Sequence, residues 1–204
     1  MLYNFKNLIF IIFFLLLSCK TTKKERPFKN FAIVSAKIEA SKAGHKILKM
    51  GGNAFDAMIA TDLALAVVYP NAGNLGGGGF MVYRQKSGEN GSLDFREKAP
   101  INAYKNMYLN DDGNVVKNSS NEGALSIGIP GTIAGLFEVY KKFGTLPIDS
   151  LFEPALSLAK NGFPLTNKQA KLFNLNKNKI LKNSDSINLF KKDFKTDMIF
   201  KNKP

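Results

Sequence analysis

The apolar positions change their spacing several times along the chain, and each change marks an element. Residues 31–36, "FAIVSA", form a short apolar run that predicts a strand. Over residues 38–50 the spacing of Ile38, Ala43, Ile47, Leu48 and Met50 predicts a helix with those side chains toward one side. Gly51 and Gly52 stop it, because glycine reaches the left-handed backbone that helix ends use. Residues 54–68, "AFDAMIATDLALAVV", are small and apolar nearly all round, so a second, buried helix is expected. Pro70 disfavours helical geometry at Tyr69 and closes it.

Further on, the period shortens. Residues 80–84 read as a strand, "SGENG" as a turn and residues 92–95 as the hairpin partner. "NDDGN", residues 110–114, is another turn. Pro130 and Gly131 open a helix through "TIAGLFEVYKKF", which Gly144 closes. "SLFE" at 150–153 and "TNKQ" at 166–169 both have capping-box spacing, in which a hydroxyl and a carboxylate or amide satisfy free amides at a helix start. The first predicts a helix to about Lys160, ended by Gly162, and the second one more helix. After Phe173 the chain turns rich in Asn and Lys and the pattern weakens.

The N-terminus changes the picture. Lys6 and the amino terminus are followed by "LIFIIFFLLL", an unbroken apolar run of ten at residues 8–17. That length suits the core of a secretory signal better than a membrane span. It ends in "LLSC", which looks like a bacterial lipoprotein signal with cleavage before Cys19 and lipid on its sulfur. Cys19 is the only cysteine, so an intrachain disulfide is excluded, and lipidation gives the lone thiol a purpose. The reading is therefore a signal peptide over residues 1–18 and a basic tether over 19–30. A folded region over 31–173 and an Asn/Lys-rich end of uncertain order over 174–204 complete the chain. The protein is expected to be exported and held on the bacterial envelope through that lipid. The formal charge of +13 is high, yet the lysines are scattered among asparagines with no recognised nucleic-acid motif, so nucleic acid is not an expected partner.

The candidate chemistry is sparse. "NAGNLGGGGFMVY", residues 71–83, carries four consecutive glycines. A phosphate loop needs Lys and Ser or Thr after its last glycine, whereas Phe80 and Met81 follow Gly79. A dinucleotide fingerprint lies between a strand and a helix, and this run lies between a helix and a strand. Glycine also permits close approach of another backbone, so the run predicts a crowded passage without room for Cβ atoms. His45 is the only histidine, which excludes a histidine-rich metal cluster and leaves a helix-surface role. Asp111 and Asp112 lack the other ligands of a calcium loop. "LDFREKAP", residues 93–100, places Asp94 and Arg96 two apart on an apparent strand, hence on one face. The planar fork of Arg96 suits a substrate carboxylate. From the pattern alone, an ordinary surface ion pair with Asp94 or Glu97 is the plainer reading.

Taken in order, five segments resemble the gamma-glutamyltransferase family, also called glutathione hydrolases. They are residues 40–57 with "ILKMGGNAFDA", then "NAGNLGGGGFMVY", "LDFREKAP", "GIPGTIAGLFEVYKKFGTLP" and "PALSLAKNGFPLT". The resemblance covers residues 31–173. It implies an α+β fold, the αββα sandwich of N-terminal-nucleophile hydrolases, of which this sequence is an incomplete, N-terminal portion. It implies γ-glutamyl transfer from glutathione to water or an amino acceptor, with no cofactor. The precursor of such an enzyme cleaves itself, and the new N-terminal threonine of the small subunit attacks the amide, its own amine assisting. By the same likeness Arg96 grips the α-carboxylate of the glutamyl group, and the glycine run packs beside the active-site sheet.

The family's threonine lies in a T-T-H-x-S context that does not occur in this sequence. No residue present substitutes for it, so the chain alone is expected to be inactive and to need the C-terminal part, or small subunit, as partner. A competing reading is a lipid-anchored protein that binds γ-glutamyl compounds without chemistry.

Overall fold

The computed structural model describes residues 30–182 and 188–201. The chain divides into two units, residues 1–32 and 33–204. The signal and nearly all of the tether, including Cys19, lie outside the described residues. Every described helix and strand belongs to the larger unit.

Its centre is a helical layer. Helices α1 (Ile38–Lys49) and α2 (Ala54–Val68) are joined by Gly51, whose φ of 93° is the left-handed turn that ends α1. Helix α3 (Thr132–Phe143) and helix α4 (Ile148–Asn161) also pack on α2. The expected burial of α2 holds: Ala57, Ile59, Ala60, Leu63, Ala64 and Val68 are all in the core. On α1, however, the buried face is Ala40, Ala43, Gly44 and Ile47, while Ile38 and Met50 at its two ends are exposed. The small residues win because α2 lies close: a Cβ on Gly44 would fall 2.2 Å from Thr61 Oγ1 and 2.9 Å from the Ala57 carbonyl oxygen.

Asn53 caps α2 by accepting from the N–H groups of Phe55 and Asp56, and Asp56 returns the bond to the Asn53 N–H. Asp56 is fully buried and also accepts from the Thr145 N–H at 3.1 Å and from the Thr145 hydroxyl. One carboxylate thus ties the start of α2 to the α3–α4 connection. Asp62, further along α2, has no such compensation among the described residues, and burial raises its carboxyl above the ordinary aspartate value of 3.8. A raised folded-state pKa means the folded chain holds the proton more tightly than the unfolded one. Stability then falls as pH rises from about 3.8 through the folded value. Asp62→Asn is therefore expected to stabilise the chain at neutral pH and to be neutral well below pH 3.8, as read by pulse proteolysis at the two pH values.

Strands β1 (Phe80–Arg84) and β2 (Asn90–Asp94) form an antiparallel hairpin in the register Phe80↔Asp94 to Arg84↔Asn90. The partner strand lies one to two residues earlier than the expected 92–95. Met81 and Leu93 face the helices, and Tyr83 packs against the stacked rings of Phe55 and Phe143. The other face carries Phe80 and Val82, which are 65 % and 85 % exposed. Residues 31–36 are not a strand among the described residues; "FAIVSA" finds no strand to pair with there. Instead the Ser35 hydroxyl donates to the Lys37 carbonyl.

The two capping-box patterns have opposite outcomes. Helix α4 begins at Ile148 behind Pro147, so Ser150 is already inside the first turn and caps nothing. Glu153 reaches out instead to Lys46 on α1. Helix α5 (Asn167–Lys182) does start on its box, with Thr166 and Gln169 exchanging N–H bonds at 3.2 and 3.3 Å. Buried Gln169 also donates to the Val68 carbonyl at 2.8 Å and accepts from the buried Lys37 ammonium. Gln169→Ala would leave that ammonium and the Val68 carbonyl unsatisfied together. A loss of about 3 kcal/mol is expected, seen as a lower urea midpoint in pulse proteolysis.

The hydrophobic pattern weakens after Phe173, but the packing does not. Strand β3 (Phe163–Pro164) pairs antiparallel with β4 (Ile199–Phe200), bringing the chain back on itself. Phe173, Phe190, Phe194 and Phe200 lie with ring centroids 5.1–6.1 Å apart. They close a second part of the core with Ala40, Ala43 and Val68.

Candidate active-site segment

The segment running out of β2, Phe95 to Glu97, is held between two glycine-bearing stretches. The glycine run approaches on one side. A Cβ on Gly78 would lie 2.5 Å from the Phe95 carbonyl oxygen and 2.7 Å from the Glu97 nitrogen, and one on Gly79 would lie 3.0 Å from the Phe95 ring. The start of α3 approaches on the other. A Cβ on Gly131 would lie 2.0 Å from the Phe95 carbonyl oxygen, and one on Gly135 would lie 2.3 Å from its ring. The crowding expected of the glycine run is thus real at Gly78 and Gly79. Gly76 and Gly77 meet nothing closer than 3.2 Å.

Backbone hydrogen bonds fix this seat. Gly79 and Phe95 exchange bonds of 3.3 and 3.0 Å, which extend the hairpin by one pair. The Gly77 carbonyl accepts from the Gly131 and Thr132 N–H groups at 2.9 and 3.0 Å. Lys98 and Ile129 form a further bridge. The amides of Gly77 and Gly79 bond to the Asn74 and Phe95 carbonyls, so they do not converge on a phosphate.

Arg96 sits at the crest of this segment, off the strand face its spacing suggested but in the ion pair with Glu97 that the sequence also offered. The strand ends at Asp94, so Asp94 and Arg96 do not share a strand face. The Asp94 carboxylate turns back and accepts from the Arg96 backbone N–H at 2.9 Å. The Arg96 guanidinium donates through Nε to Glu97 at 3.2 Å, and its Cζ lies 5.7 Å from the centre of the Phe80 ring. The Glu97 carboxyl is held below the ordinary glutamate value chiefly by its own backbone N–H. Partial desolvation opposes that, while the charge and hydrogen bond of Arg96 and the Gly78 N–H reinforce it. Glu97 is therefore an ionised partner at neutral pH. With Nε engaged, the two terminal nitrogens of Arg96 present the fork that matches a carboxylate. The side chain is 59 % exposed and borders an open cavity of about 420 Å³, lined also by Phe95, Lys98, Ile129, Gly131 and Glu138.

Several sequence-picked residues stand apart. His45 is on the exposed side of α1, and Asp111 and Asp112 are exposed in the turn closed by Asn110 and Asn114. Among the described residues no group of three His, Cys, Asp or Glu side chains is placed to hold a metal. Sequence reasoning missed Gly131 and Gly135 as parts of the seat. The signal was present as two glycines on one side of a predicted helix, which argues for a close neighbour rather than for capping alone.

The chain as a whole has known relatives. The gamma-glutamyltranspeptidase family model matches residues 40–202, nearly all of the described fold and well beyond Phe173. The chain belongs to the gamma-glutamyltranspeptidase family. A glutathione hydrolase proenzyme of Pseudomonas sp. (strain A14) is 51 % identical over 137 residues, covering 67 % of this chain and 24 % of that protein. The glutathione hydrolase proenzyme of Escherichia coli (strain K12) is 46 % identical over 135 residues, with 66 % and 23 % covered. In structure, the Helicobacter pylori gamma-glutamyltranspeptidase superposes with a TM-score of 0.81 at 44 % identity, over 86 % of this chain and 51 % of that one. The Bacillus anthracis transpeptidase CapD gives 0.67 at 27 % identity, over 85 % and 54 %. The sequence thus spans about a quarter of the length of the curated relatives it matches. Its helices and hairpin are a partial N-terminal-nucleophile hydrolase fold, as the resemblance implied.

Proposed function

We propose that this gamma-glutamyltranspeptidase-family chain is the N-terminal part of an enzyme that hydrolyses or transfers the γ-glutamyl group of glutathione and related compounds. In this reading it supplies the grip and not the attacking group. Arg96 holds the α-carboxylate of the glutamyl moiety through its terminal nitrogens. Glu97 and Phe80 hold the guanidinium in place, and the glycine seat fixes the backbone beneath it. The nucleophile is the N-terminal threonine of a small subunit, which also supplies the remaining substrate contacts. The single observation that carries this reading is the built seat around Phe95 and Arg96: four glycines make room for a segment whose charged side chain faces an open cavity.

The exposed outer face of the hairpin, with Phe80 and Val82, supports a partner that completes the sandwich, since a two-stranded sheet leaves both its edges and one face uncovered. We further propose that Cys19 carries lipid and that the protein is anchored on the bacterial envelope. Support for that comes from residues 8–19 of the sequence alone. Metabolic labelling with a palmitate analogue tests it: label lost on Cys19→Ser supports the anchor, and label retained removes it.

The test of the enzymatic reading is complementation. The chain is mixed with, or expressed beside, a polypeptide carrying the family's T-T-H-x-S segment. γ-Glutamyl-anilide release should appear in the mixture and not with a polypeptide whose leading threonine is alanine. Stable association of the two parts without any release would refute it.

A further inference from the structure

The lysines that look scattered in the sequence are gathered by the fold. Residues 167–204 hold ten of the 29 Lys and Arg residues and only three of the 16 Asp and Glu residues. Helix α5 itself has no acidic residue. Lys168, Lys171, Leu175, Lys179 and Lys182 lie three or four positions apart, so they share one face of α5. All five are exposed, Leu175 by 83 %, while Gln169, Ala170 and Phe173 on the opposite face are buried.

The stripe works against the helix that carries it. Lys168 with Lys171, and Lys179 with Lys182, are like charges one turn apart, and the first pair sits at the positive end of the helix dipole. Two acidic residues offset part of the helix's charge among the described residues. Glu122 reaches Lys179 at 3.5 Å, and Asp193 pairs with Lys177. Four exposed lysines on one helix face give a strongly positive surface, and charge complementarity favours a negatively charged partner for it.

We propose that the lysine face of α5 docks on an anionic lipid surface. Two features favour lipid over nucleic acid. Leu175 stands in the middle of the stripe, where an apolar side chain can enter the headgroup boundary between flanking lysines. The face carries no aromatic side chain on which a base would stack. This inference is independent of the enzymatic reading.

Vesicle flotation with the whole chain tests it, since aggregate sinks and bound protein floats. The probes are phosphatidylcholine vesicles alone and vesicles with about a third phosphatidylglycerol, at low salt. Binding is expected to be about tenfold or more stronger with the anionic lipid, and to lose that increment in about 0.5 M salt. The K168Q/K171Q/K179Q/K182Q variant should lose most of the increment. The K86Q/K117Q/K141Q/K142Q variant removes as many exposed charges elsewhere and should keep it. Both quadruple variants change only exposed residues, and equal circular dichroism spectra will show that both fold. The proposal is overturned by no preference for the anionic vesicles, by equal losses in the two variants, or by tighter binding of a DNA duplex than of the vesicles.

Discussion

Gly131→Ala should cost more than about 3 kcal/mol of stability and release the segment that carries Arg96. The added Cβ would lie 2.0 Å from the Phe95 carbonyl oxygen and 2.8 Å from its carbon, both backbone atoms held in the hairpin extension. A side chain could rotate out of the way, but a hydrogen-bonded peptide cannot. Either α3 moves away from the Gly77 carbonyl, losing the bonds from Gly131 and Thr132, or Phe95 moves and breaks its exchange with Gly79. Gly77→Ala is the matched control. Its Cβ would meet only ordinary contacts of 3.5 Å and more, so its cost should stay within about 1 kcal/mol. Pulse proteolysis of the dilute chain in urea reads both. Equal midpoints for the two variants would show that the seat is not tight.

Arg96→Ala should lower kcat/KM for a γ-glutamyl-anilide by about a hundredfold to a thousandfold once the chain is complemented by a threonine-bearing partner, or about 3–4 kcal/mol. A carboxylate gripped equally in the ground and transition states contributes mainly to binding, so most of the loss should appear in KM. Arg96→Lys keeps the charge but not the planar fork, and so should remain impaired by about tenfold. Because the guanidinium is largely exposed, neither substitution should shift the urea midpoint by more than about 0.5 kcal/mol. A large stability effect with little change in KM would make Arg96 a structural residue and remove the carboxylate grip.

The sequence made the helices legible because their signals are local. Residues 54–68 read as a helix with bounds that the structure reproduces, since an apolar run capped by Asn53 and stopped before Pro70 leaves little else to do. "TNKQ" succeeded and "SLFE" failed for a physical reason. Thr166 stands at a true helix start, whereas Pro147 begins α4 a turn earlier and preempts Ser150. What could not be read were the long-range partners. Asp56 finds Thr145, Lys37 finds Gln169, and Phe173 finds Phe190, Phe194 and Phe200; each pairing depends on topology that no local period encodes. At the site, "LDFREKAP" offered Arg96 as a candidate carboxylate grip, but the geometry around it was not legible. The period-two spacing placed Arg96 on a strand face, and the strand ends two residues short of it. The glycine run announced a close approach without saying to what; the answer, the Phe95–Glu97 backbone, needed the fold.

Catalysis in this scheme is a division of labour between a chain that holds the glutamyl group and a partner that attacks it. The most direct test is γ-glutamyl-anilide release by the purified 204-residue chain with nothing added. The predicted rate is indistinguishable from buffer at every protein concentration, rising only when the threonine-bearing partner is supplied. Release that scales with the concentration of the isolated chain and falls with Arg96→Ala would contradict it, because the attacking group would then reside in the chain itself.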